Sequence, residues 1–540
     1  MKIEDLLNEA GCNKYLGRMN KILRSFSVHL LSRLVAVILI FVGASNVLAD
    51  VTLPALFSDH MVLQGGAAVP VWGWAEPGEE VTVTVQKQVR RAKADRNGKW
   101  MVTLGKLRSG TPVTFVVEGR NRIVVRDVLV GEVWLCSGQS NMEMAVDHCK
   151  DFEAEKSAAN LPSLRMFTVA RNSQAVAQTN CTGAWVICSP ETMGKFSAVA
   201  YFFGREIQQR RHVPVGLIHS SWGGTSIEAW TSMAAQSHLA EFPIISERWR
   251  NVEGGIWDEA KAMAGYKAAL EKWNSDVSKA KAEKKPLSRE PQKPVNPRLD
   301  PNFPANLFNG MIAPLIPYRM QGAIWYQGEN NAIASFPQLF GLQLRTMIKD
   351  WRGRWGYEFP FAWVQLPEWR ESQKQPVQST GWTTVREQML KALDVPHTGM
   401  AVTLGLGDAK DIHPKNKQDV GKRLAGWALA EVYRDSTAVA SGPLPGGAKI
   451  KGNEIIVSFK HTDGGLTSRG KELRGFVIAS ADRVWVRAEA RIDGKRVIIS
   501  HPGMEHPVAV RYAWADNPQF SLLNGAGIPA SPFRTDDWKE

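Results

Sequence analysis

The chain has 540 residues, 44% of them apolar, with 66 basic and 53 acidic side chains and a net charge of +13. A single core stops growing near roughly 250–300 residues, so more than one domain is expected, and the apolar fraction excludes a disordered chain. The positive charge is scattered, with no Lys/Arg stripe interleaved with aromatic residues, which argues against a nucleic-acid partner and leaves only a mild attraction to acidic surfaces or anionic glycans.

The amino terminus reads as an export signal. Lys21, Arg24 and Arg33 form a basic region, and Leu34–Val42 is an apolar run of about nine residues, too short to span a bilayer. Val47-Leu48-Ala49 ends in small residues, which places cleavage after Ala49. Initiation at Met19 gives a signal of ordinary length, whereas Met1 gives an unusually long basic region. Residues 1–49 carry six basic and three acidic side chains, so their removal leaves a charge of +10. No later run of about eighteen apolar residues exists. The mature chain is therefore expected to be exported, periplasmic or extracellular, and not an integral membrane protein. Cys136, Cys149, Cys181 and Cys188 remain after cleavage and allow three pairings in an oxidising compartment. The alternative reading of Cys136 is a buried free thiol beside the serine. Paired CxxC units are missing, so a zinc site is not expected.

Residues 50–127 read as a β region. Val81–Val85 alternates with period two, Asn97-Gly98 signals a hairpin between Arg90–Ala94 and Trp100–Leu104, and Thr114–Val117 and Arg122–Val125 continue the pattern. From 128 to 435 apolar runs alternate with longer segments, the pattern of a parallel sheet covered by helices. Strands are expected at Val128–Leu135, Val215–Ile218, Gly322–Trp325, Phe361–Leu366 and Met400–Leu404, with helices at Ala198–Gln209, Leu339–Lys349 and Asp419–Tyr433. Residues 239–300 are charged and then proline-rich: a solvated helical excursion and an extended linker, with a lid as the functional alternative. Residues 436–540 are again β-like, with Asp493-Gly494 between Ala488–Ile492 and Arg496–Ser500 as a second hairpin signal.

Four strings fall at the carboxyl ends of expected parallel strands, where such sheets place their sites. They are Gly138-Gln-Ser140-Asn-Met142, Ser220-Ser-Trp-Gly-Gly-Thr225, Tyr326-Gln-Gly-Glu-Asn330 and Gly407-Asp-Ala-Lys-Asp411-Ile-His413-Pro414. Ser140 at a strand-to-helix turn is either a helix cap or a nucleophile beside free backbone N–H groups. A serine nucleophile needs a base, and His413 is the best candidate, since a carboxylate two residues before it can hold the imidazole tautomer. Asp411 is that carboxylate, with Asp408 as the alternative. A tetrahedral intermediate needs donors: a backbone N–H of Gly224 or Gly223, the Gln327 amide and the Ser140 N–H. Singly, each string also fits a tight turn, a loop or a buried polar group; together at one sheet edge they favour catalysis. Met142 stands where a G-x-S-x-G turn has its second glycine, which argues against an ordinary α/β-hydrolase elbow.

These strings, with Leu307-Phe-Asn-Gly-Met311 and the closing Pro529–Asp536, resemble the blocks of the sialate O-acetylesterase family of the SGNH hydrolase superfamily from about Ala49 onward. The resemblance implies a three-layer α/β/α parallel-sheet catalytic domain over 128–435, flanked by β-sandwich-like regions at 50–127 and 436–540. It implies no metal or cofactor, and hydrolysis of acetyl esters on an O-acetylated carbohydrate. By that resemblance Ser140 is the nucleophile, His413 the base, Asp411 its partner, and Gly224 and Gln327 the oxyanion donors. An acetylated plant polysaccharide such as xylan is the rival substrate within this class, and a non-catalytic glycan-binding protein is the rival class.

Overall fold

The computed structural model describes residues 50–539 apart from 284, 285, 287 and 288. The export signal expected over 1–49 lies outside the described residues.

The fold hangs on one long strand. Before it come β1 (Val62–Gln64), β2 (Val69–Trp74), β3 (Glu80–Val85), β4 (Gln88–Lys93), β5 (Lys99–Leu104) and β6 (Val113–Glu118), and β7 then runs unbroken over Arg122–Gly138. Its first half pairs antiparallel with β6 and parallel with β1. Its second half is the middle strand of the parallel sheet. The two expected strands at Arg122–Val125 and Val128–Leu135 are thus one, and no linker separates the regions at 127/128. The remaining strands of this sheet are β8 (Leu161–Thr168), β9 (Trp185–Cys188), β10 (Val215–Ser221), β11 (Gly322–Tyr326), β12 (Phe361–Val364) and β13 (Thr398–Ala401). Their order is β13-β12-β11-β7-β10-β8-β9, parallel throughout except for β9. All residues of β10, β11 and β12 are buried, as expected where helices cover both faces.

The helices that matter here are α1 (Ser140–Glu143), α2 (Ala198–Arg211), α3 (Glu259–Ala282), α4 (Glu329–Ala334), α5 (Phe340–Trp355), α6 (Gly381–Lys391) and α7 (Lys417–Trp427). Trp134 of β7 meets Phe203 of α2 and Trp427 of α7 on one face of the sheet. Trp325, projecting from β11 to the other face, meets Trp351 of α5 edge to face at 5.9 Å. Each such aromatic pair contributes roughly 0.5–1.5 kcal/mol beyond area burial. The helix expected over Asp419–Tyr433 changes to a wider π-helical turn at Ala428–Val432.

Four sequence expectations are corrected. The Asn97-Gly98 turn forms, with Gly98 at φ +73, but it joins no hairpin: β4 pairs with β3, whereas β5 pairs with β2. Turn chemistry set the chain reversal, and sheet packing chose the partners. The last parallel strand lies at Thr398–Ala401, earlier than Met400–Leu404. Strands β8 and β9 occupy stretches read as connection. The four cysteines are all free and buried, so none of the three pairings forms. Burial pushes the Cys149 and Cys188 thiols up to about 12 and Cys181 to about 11, so all are held protonated.

In the carboxyl-terminal region, Leu444–Lys451, Glu454–Lys460, Arg496–Ser500 and Glu489–Asp493 form one antiparallel sheet. The Asp493-Gly494 hairpin is present. A second sheet holds Trp485–Arg487, Phe476–Ala479, Ala509–Tyr512 and Phe533–Arg534. Val457 and Ile499 of the first share an apolar cluster with Ile478 and Val510 of the second. Arg386 of α6 is fully buried and donates to the carbonyls of Leu366, Pro367, Ala515 and Asp516, clamping this region to the parallel sheet. Among the described residues the inserted helix α3 has no buried side chain, in keeping with its charged composition.

Candidate active site

The site sits where β7, β10 and β11 end side by side. Gly138 closes β7 at φ +145, and a Cβ there would lie 2.1 Å from the Tyr326 carbonyl, so only glycine lets the two strand ends approach. The chain then turns into α1. Ser140 is its first residue, the capping position falls on Gln139, and no side chain caps the turn. The hydroxyl is therefore not spent on helix capping. Instead His413 Nε2 lies 2.9 Å from Ser140 Oγ, across 273 residues of sequence. The other ring nitrogen, Nδ1, is 3.4 Å from Asp411 Oδ1. Asp411 Oδ1 also accepts the His413 backbone N–H at 2.8 Å, which fixes the carboxylate beside its own loop. Asp408, the alternative partner, instead accepts the Lys410 N–H at 2.8 Å.

The glycine loop after β10 packs directly on the serine. A Cβ on Gly223 would lie 3.2 Å from Ser140 Cβ. The Gly223 N–H is already committed to Glu143 Oε2 at 2.9 Å. Among the described residues nothing occupies the Gly224 N–H, and that residue adopts φ +72. Gln327 departs from the donor role expected for it. It is fully buried, and its Nε2 donates to the Thr225 carbonyl at 3.0 Å and to Asn331 Oδ1 at 2.6 Å, so one amide hydrogen braces the loop that carries Gly224 and the other is spent on α4.

A cleft of about 770 Å³ opens over the pair, lined by Ser140, Glu143, Met144, His148, His413 and Lys415 among others. Its carboxylates are engaged: Glu143 with Arg171, Asp147 with Lys195, and Asp411 with His413. Arg171 in turn lies over the Trp222 ring, 5.4 Å from its centroid. Among the described residues of α3, none lines this cleft. Among the described residues no group of three or more His, Cys, Asp or Glu side chains could hold a metal ion. A second serine–histidine contact, Ser221 Oγ with His219 Nε2, is sealed inside β10, and burial lowers the His219 pKa to about 4. Only the Ser140 pair meets the cleft.

Sequence reading missed the polar groups behind this pair. Asn141, Glu329 and Lys417 are buried and linked to one another. Lys417 stands four residues after His413, but a lysine at a helix start reads as solvated.

A serine, a histidine and a carboxylate gathered at the carboxyl edge of a parallel α/β sheet is an arrangement that hydrolases use. Comparison with known proteins narrows that class. The family described as carbohydrate esterase, sialic acid-specific acetylesterase, matches residues 130–282 and 306–430. Mouse sialate O-acetylesterase is 30% identical over 88% of this chain and 92% of its own length, and the human protein of that name is 27% identical over 88% and 91%. A carbohydrate acetylesterase from Xanthomonas citri is 35% identical, with a TM-score of 0.76 over 90% of this chain and all of its own. The chain belongs to this carbohydrate esterase family, and it is a carboxylic ester hydrolase.

Proposed function

We propose that this carbohydrate O-acetylesterase works through Ser140 as nucleophile, His413 as general base and acid, and Asp411 as the group that orients the imidazole. The 2.9 Å contact between His413 Nε2 and Ser140 Oγ in an open cleft carries the reading. Ser140 Oγ attacks the acetyl carbonyl while His413 Nε2 takes its proton. The oxyanion is held by the N–H groups of Ser140 and Gly224. As the tetrahedral intermediate collapses, the C–O bond to the sugar breaks and His413 returns the proton to the sugar oxygen. Water, deprotonated by His413, then attacks the acetyl-enzyme and releases acetate.

The substrate proposed is an O-acetylated sialic acid. Two observations support an anionic sugar over neutral xylan: the names carried by the mouse and human relatives, and Lys415. Lys415 is exposed in the cleft and, among the described residues, has no carboxylate partner, whereas every carboxylate there is engaged. The regions 50–127 and 436–540 are proposed as β-sandwich-like units flanking the catalytic part 128–435, and the shared apolar cluster of the last two sheets supports this. Export to the periplasm or beyond the cell is proposed from the basic and apolar runs before Ala49. A panel of acetylated sialoglycan, xylan and pectin tests the substrate. Acetate release fastest from the sialoglycan, and slowed on it alone by Lys415→Gln, is expected; preference for xylan contradicts the assignment.

A further inference from the structure

Ser140 and His413 stand on loops far apart in sequence, so their 2.9 Å contact depends on whatever ties the loops together. The tie is the neighbour of the serine. Asn141 is fully buried, and its Nδ2 donates to the Ile412 carbonyl at 3.0 Å, the peptide immediately before His413, and to Glu329 Oε1 at 2.5 Å. Its Oδ1 accepts from Lys417 Nζ. Lys417 opens α7, is itself fully buried, and lies 5.2 Å from the centroid of the Tyr326 ring. Glu329 Oε2 has no hydrogen-bond partner among the described residues.

The Asn141 amide therefore lies between a buried ammonium and a buried carboxyl. A flip would set its NH2 against the ammonium and its oxygen against the carboxyl, which a low-dielectric interior penalises heavily. Only the observed orientation presents Nδ2–H to the carbonyl that precedes His413.

We propose that Lys417 is a positioning residue for the esterase reaction: its ammonium fixes the Asn141 amide, and the amide holds the His413 loop against Ser140. The proposal rests on the Ser140–His413 reading of the site. The cation faces Glu329 from α4, Tyr326 from the end of β11, Cys149 from the loop after α1, and Asp411 from the loop of His413. Burial draws the Lys417 pKa down to about 8, opposed by Cys149, Glu329 and Asp411. Alkaline pH accordingly discharges the group that fixes the amide, and kcat falls with it.

The experiment follows 4-nitrophenyl acetate hydrolysis between about pH 6.5 and 9.5 in the wild type, Lys417→Met, Lys417→Arg and Ser140→Ala. Lys417→Met is expected to lower kcat roughly 10–100-fold with KM within about twofold, the loss typical of a small misplacement of reacting groups. Lys417→Arg keeps a cation at every pH used. It is expected to recover most of kcat and to lack the alkaline decline. A wild-type kcat in Lys417→Met, or an alkaline decline unchanged in Lys417→Arg, overturns the proposal, and the second readout serves even if the Met variant does not fold. Activity in Ser140→Ala would instead remove the site reading beneath it; an inactive Ser140→Ala with a fully active Lys417→Met removes only the positioning role.

Discussion

At the scale of single residues, the proposal that Asp411 rather than Asp408 serves His413 rests on what each aspartate already holds. Asp411 reaches Nδ1, whereas Asp408 is turned to the Lys410 N–H. Asp411→Asn is expected to lower kcat by about 10- to 10⁴-fold, the range seen when a triad acid is neutralised, while Asp408→Asn stays within about twofold. Steady-state kinetics on both variants checks this, and the reverse ranking would reassign the acid. Gly224 makes a second case. A Cβ there meets nothing within 4 Å, so Gly224→Ala creates no clash; its φ of +72 alone strains the substitution by about 1 kcal/mol. The strain falls on the N–H proposed to hold the oxyanion, so kcat should drop at least about tenfold with KM little changed. Lys417 adds a pH signature in stability. Its folded pKa of about 8 lies below the ordinary 10.5, so between those values the unfolded chain binds more protons and stability rises with pH. The difference in thermal midpoint between wild type and Lys417→Met should therefore move in favour of the wild type from pH 8 to 10, as measured by calorimetry. Ser140 was legible in the sequence because it falls just after an apolar run, and His413 and Asp411 because a carboxylate stands two residues before the histidine. Asn141 and Lys417 were not, since nothing in a short polar string says that its amide or ammonium is buried. Gln327 was legible as a site-edge residue, but its partners Thr225 and Asn331 are set by tertiary contact alone.

At the scale of elements, β7 explains how the serine turn is held in place. One strand carries the amino-terminal sheet at its start and the serine turn at its end, so Ser140 is braced by neighbours on both sides through Gly138, Ser137 and Cys136. Gly138→Ala would force a carbon to 2.1 Å from the Tyr326 carbonyl and separate β7 from β11. A loss of roughly 2–4 kcal/mol is expected, within the range of overpacked core sites, and is measurable by urea unfolding. The period-two and apolar patterns made β7, β10, β11 and β12 readable, because a strand buried on both faces is continuous in apolar residues. The same logic failed for β8 and β9. Leu161–Thr168 includes Pro162, Ser163 and Arg165, and the burial of Arg165 depends on a salt bridge to Asp127 at 2.7 Å. Asn97-Gly98 shows a related limit. The dipeptide specifies a left-handed turn, yet which strand each arm joins is decided by the sheets above and below it.

At the scale of the whole molecule, the proposed chemistry draws on groups that the chain supplies itself: a hydroxyl, an imidazole, a carboxylate and two backbone donors. EDTA is accordingly expected to leave acetate release unchanged, and strong inhibition restored by added zinc would require a metal in the reaction. The sheet edge gathers those groups from three separate loops, and among the described residues none of the flanking β regions or of α3 lines the cleft. The account turns on Ser140. The direct measurement is intact-mass spectrometry of the wild type and Ser140→Ala after rapid mixing with 4-nitrophenyl acetate, alongside steady-state rates and thermal melts. An acetyl adduct on the wild type, absent in Ser140→Ala together with a rate loss on the order of 10⁴-fold or more and an unchanged melt, is the predicted result. Hydrolysis persisting in a folded Ser140→Ala, or an adduct mapped to another residue, would contradict it.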